Sequence, residues 1–236
     1  MSGRRRRAVA ALAALAVLGA TGATLAQPAD DRLLPADQHT SDKARTLAQR
    51  HVRGLRALNA GIYHCIPWVE VRQHSIGFFR PRGVTQDDRF LAIRLYIEQD
   101  TSPEFGKLSL EDRASAMFSR YVGAMLRRMN AADATLISDP LLDGYSVVLE
   151  WRKQGARGSS GDRPIHETIA AFMPKSLVAD FLAGRLPVGT LADTARVLAW
   201  DGERAIGQLR VTAWDDNFVS TFKVANYQLD PGISCG

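Results

Sequence analysis

The chain has 236 residues, 46% hydrophobic and 23% charged, with 30 lysines and arginines against 25 acidic residues and a formal net charge of +5. Without the four arginines of its first 26 residues the balance falls to 26 basic against 25 acidic. A nucleic-acid binder would carry a concentrated basic stripe; clusters such as Arg80-Pro81-Arg82 and Arg127-Arg128 are ordinary surface charge, so that class is excluded. There is no internal repeat and no long low-complexity tract, and the length suits one sizeable core.

Residues 1–26 have the layout of a secretory signal peptide: Arg4 to Arg7, then a run of small apolar residues, then polar Gln27, Pro28 and Asp30. Thr24 and Ala26 place the cut after Ala26, with Ala23 as the other position. The run is too poor in leucine for a strong membrane anchor. Arg6-Arg7 lacks the bulky neighbours of a twin-arginine signal. The expected location is therefore the periplasm or the extracellular medium. No later segment is apolar enough to predict a membrane span.

Residues 27–41, with Pro28 and Pro35, read as a flexible lead-in, and 42–236 as a single domain. Ser41 is an N-cap for a helix over about 42–60 that ends before Gly61; Ala44, Leu47, Ala48, His51, Leu55 and Leu58 make its buried stripe. Residues 67–79 and the alternating 91–97 predict a hairpin. Ser109 and Asp112 start a second helix whose stripe is Leu110, Ala114, Met117, Phe118, Tyr121, Met125 and Met129. Tyr145, Val147, Leu149 and Trp151 share one strand face. A Gly/Ser-rich loop from Lys153 to Arg163 returns to a strand over Ile165 to Met173. A short helix follows from about Ser176 to Ala183, with a further turn at Leu191 to Ala195. Asp201-Gly202 is a two-residue turn between strands, and a last strand ends near Val224. The expected class is α+β: a mostly antiparallel sheet built from hairpins, with two main helices packed on one side.

The two cysteines, Cys65 and Cys235, predict a disulfide in an oxidising compartment. It would close a loop of about 170 residues, for which the chain-entropy model gives on the order of 5 kcal/mol. Zinc needs four fitting ligands and these spacings offer none, so neither a metal nor a cofactor is expected. Near misses are instructive. His166-Glu167-Thr168-Ile169-Ala170 has alanine where the zinc-protease motif needs its second histidine. Gly158-Ser159-Ser160-Gly161 is not a nucleophile elbow. Asp87-Asp88 and Asp215-Asp216 fit turn chemistry.

Among the five histidines, His39 falls in the lead-in, His51 at a core margin, His64 beside Cys65, and His74 and His166 in strands. His166 with Glu150 or Glu167 could form an acid and base pair on a sheet face. Trp68, Trp151, Trp200 and Trp214, with Tyr96 and Phe78, could line an apolar pocket but fit a core better. Two functional readings follow. The first is a non-catalytic envelope or secreted protein that binds a protein partner or an apolar ligand through its sheet face. The second is a secreted hydrolase with a dispersed site around His166 and Glu150.

Overall fold

Alternating burial along extended segments builds the middle of the molecule. In the computed structural model, which describes residues 30–97, 103–157 and 164–213, seven strands among the described residues form one sheet. They are β1 (Val69–Val71), β2 (Gly77–Phe79), β3 (Phe90–Ile97), β4 (Gly144–Arg157), β5 (Pro164–Pro174), β6 (Arg196–Asp201) and β7 (Arg204–Leu209). The order is β1-β3-β4-β5-β6-β7, with β2 also paired to β3. The pairings are antiparallel except β3 with β4, which run parallel with Leu91 beside Tyr145 and Ile97 beside Trp151. Parallel neighbours need a crossover. Here it contains α2 (Pro103–Lys107), α3 (Leu110–Met117) and α4 (Gly123–Ala132). The class is α+β with a mostly antiparallel sheet, as the pattern predicts.

Leu91, Ile93, Leu95 and Ile97 of β3 and Tyr145, Val147, Leu149 and Trp151 of β4 are fully buried. They share one core cluster with Leu47, Leu55, Leu58 and Ile62 of α1 (Asp42–Cys65) and with Phe118, Met125 and Met129. Each such side chain stabilises the fold by about 1.5–3 kcal/mol on burial.

Several boundaries differ from expectation. α1 is capped by Ser41, whose hydroxyl accepts the Ala44 N–H at 3.2 Å. It runs through Gly61 to Cys65, because Ile62 extends the buried stripe by one more turn. The second helix is divided by a π-helical turn over Phe118–Val122. Ala114 to Phe118 are buried in succession and Tyr121 and Val122 follow, a wider apolar face than one α-helical stripe; the wider turn rotates the next stretch back onto the core. Residues 67–79 break into two short strands at His74, whose φ is 51°. β4 continues to Arg157, into the stretch expected as a connector. The expected two-residue turn is shifted by one position: Asp201 pairs with Arg204, so Gly202 and Glu203 form the loop, with Gly202 at φ +61°.

Residues 30–41, which fall in the expected lead-in, pack against the sheet. Leu33 is buried and bridges in parallel to Ile76. His39 is 3% exposed. An apolar side chain and a doubly hydrogen-bonded imidazole outweigh what two prolines and several aspartates suggest. The signal segment, Gly158 to Gly161, Trp214, Asp215-Asp216, the strand to Val224 and Cys235 lie outside the described residues. Among the described residues no helix is long and apolar enough to cross a membrane.

Candidate binding face and the Glu150 cluster

Successive strand residues point to opposite faces, so the even-numbered residues of β3 and β4 lie on the face away from the core. There Glu150 and His166 come together from adjacent strands, with His166 Nδ1 3.1 Å from Glu150 Oε1. The β4–β5 register opposes Arg152 to His166, which leaves His166 diagonal to Glu150. Glu167 takes the other face. It is 1% exposed and accepts from Arg113 Nε at 2.7 Å and from the Trp151 indole at 2.8 Å. Period-2 geometry therefore selects Glu150 over Glu167 as the neighbour of His166.

Glu150 is already heavily engaged. Oε1 also accepts from Arg72 Nη2 at 3.0 Å, and Oε2 accepts from Arg94 Nε at 3.1 Å. Burial raises its pKa, but the Arg72 hydrogen bond and the Arg94 and Arg72 charges together hold the carboxyl below its ordinary value. The carboxylate therefore has His166 Nδ1 as a close neighbour beside its two arginine hydrogen bonds. Burial pushes the His166 ring below its ordinary value, and the arginines add to this against the opposing pull of Glu150. Tyr96 meets His166 edge-on at 5.3 Å, and Arg72 lies 4.6 Å over the Tyr96 ring.

Next to this cluster is an open cleft of about 310 Å³. Phe90 and Ala92 of β3, Val148 of β4 and Phe172 of β5 contribute apolar side chains from the outward register of three adjacent strands. His74, Phe79, Arg80 and Arg94 also line it. Sequence reasoning missed this assembly, including Arg72 and Arg94. The readable signal was an apolar residue at an outward position in each strand, where a solvated sheet face would be polar.

The remaining candidates fall elsewhere. None of the described tryptophans lines the cleft. Trp151 is core and Phe78 is 1% exposed; Trp200 sits opposite Thr168 in β6. His51 lies between two carboxylates, Nδ1 2.8 Å from Asp133 and Nε2 3.0 Å from Asp139, and ties α1 to the segment after α4. Asp87 pairs with Arg89 through Nε at 2.5 Å. Among the described residues no three of His, Cys, Asp and Glu are grouped to hold a metal ion.

Comparison of the chain with protein-family models, with curated proteins and with solved structures finds no match.

Proposed function

We propose that this chain is an exported, non-catalytic binding protein of the cell envelope that holds a small apolar ligand in the cleft on its outward sheet face. In this reading the signal is cleaved after Ala26 and Cys65 pairs with Cys235. Two main helices, α1 and the α3 to α4 unit, cover the inner face, leaving the other for the ligand. The single observation that supports it most is the run of Phe90, Ala92, Val148 and Phe172 across the cleft. Binding sites are concave, largely apolar and about 300–1,000 Å³, and this cleft meets that description at the small end.

Native mass spectrometry of the protein purified from its own envelope fraction tests the reading. The expected result is a species heavier than the cleaved chain by a discrete small mass, absent from a Phe172→Asp variant. Bare chain in both samples removes tight binding.

The hydrolase reading is kept alive by one observation, the 3.1 Å contact of His166 with Glu150. Against it, Glu150 is shared with two arginines. Ester reporters should show no turnover that His166→Ala abolishes. Such turnover would replace the binding reading with a catalytic one.

A further inference from the structure

Resting on the cleft as a binding site, the charge distribution around it narrows the ligand. We infer that the occupant is a single-chain anionic amphiphile, a medium-length acyl carboxylate or a compound of similar shape. Its tail lies on Phe90, Ala92, Val148 and Phe172, and its acid group on Arg80 at the Phe90 end of the cleft.

Three observations carry this. The described residues that line the cleft include Arg80, Arg94 and His74 and no aspartate or glutamate. An acid entering it therefore meets only cationic or neutral groups, and an amine meets like charge. Glu150 shares one carboxylate between Arg72 and Arg94, and Glu70 lies 3.7 Å from Arg72, so two carboxylates balance these two arginines and Arg80 is the lining cation that stands outside this cluster. The apolar residues, finally, occupy outward sheet positions that a purely solvated face would fill with polar side chains.

Geometry sets the size. Phe79 pairs with Phe90 and Gly77 with Ala92, so Arg80 lies at the Phe90 end of the cleft and Arg94 at the other. Arg94 lies four positions along β3 from Phe90, roughly 13 Å of β-strand. That length suits one medium chain.

The test is calorimetric titration of the whole chain with octanoate, 1-octanol and octylammonium at one ionic strength, repeated on Arg80→Gln, Arg94→Gln and the double variant. Octanoate should bind at least about tenfold tighter than octanol, the scale of one charge-assisted contact, with octylammonium the weakest. Arg80→Gln and the double variant should lose most of that preference. Equal binding of acid and alcohol, or an acid preference that survives both substitutions, overturns the inference and leaves the cleft as an apolar site. No binding of any probe to folded protein, with circular dichroism as the check, overturns the cleft reading itself.

Discussion

The imidazole of His39 accepts the backbone N–H of Phe78 through Nε2 at 3.2 Å. Its Nδ1 donates to the Pro35 carbonyl at 3.1 Å. One nitrogen accepts and the other donates, so the bonded form is the neutral ring. A second proton would set an N–H against the Phe78 N–H.

Acid sensitivity follows from that geometry. Burial lowers the His39 pKa from its ordinary 6.5, and the nearby Arg89 and Arg45 charges act in the same direction, more than offsetting the Pro35 and Ala36 hydrogen bonds. A folded-state pKa below the unfolded one means that the unfolded chain binds more protons as pH falls. The stabilisation is complete above about 6.5 and is lost as pH falls from there through the folded value. His166 is shifted the same way, so it acts in the same window. Thermal melts should drop on acidification below 6.5, and His39→Gln should flatten that part of the profile. An unchanged slope in this variant sinks the assignment.

α1 and the segment after α4 approach closely at Gly54. A Cβ there would sit 2.5 Å from the Asp133 Cβ, and Asp133 is one of the two carboxylates on His51. Gly54→Ala improves helix propensity by up to about 1 kcal/mol, yet overpacking of this kind costs typically about 1–3 kcal/mol. Denaturant unfolding should show net destabilisation. His51→Ala should cost more, about 3–5 kcal/mol, because it removes the shared partner of two largely buried carboxylates.

Arg113 and Glu167 form the most deeply buried arginine–carboxylate pair among the described residues, with side chains 12% and 1% exposed. Arg113→Met leaves the buried Glu167 carboxyl without its cation while it still accepts from the Trp151 indole. The expected loss is about 3–5 kcal/mol. Adding Glu167→Gln to this variant should restore much of it, since no unpaired charge remains. A double variant as unstable as the single one would show that the ion pair was not the cause.

The proposed Cys65 to Cys235 link is checked by alkylating unfolded, unreduced protein. Both thiols should stay unmodified, and labelling of either removes the link. If the bond exists, reduction should lower stability by at most about 5 kcal/mol.

How much was legible depended on range. Period-2 runs identify β3 and β4, and the Ser41 and Ser109 caps mark their helices, because these signals lie within a few residues. The β4–β5 hairpin is also readable from its flanks. Its register is not, since nothing local to Glu150 says whether His166 or Glu167 shares its face. Arg72 and Arg94 reach Glu150 only once β1 and β3 lie beside β4, a long-range pairing that no turn announces. The partner of His39 is hidden for the same reason: its proline and aspartate neighbours suggest a loose segment, and Phe78 is 39 positions away.

The parallel seam between β3 and β4 also bears on how fast this chain can assemble. Arg89 and Asp143, which bond at its start, are 54 positions apart, and every pair along the seam inherits a comparable separation. Loop closure of that length must precede any reward from the pairing, which places folding toward the millisecond-to-second range of non-local topologies. The centre of the sheet cannot close until Trp151 has been synthesised.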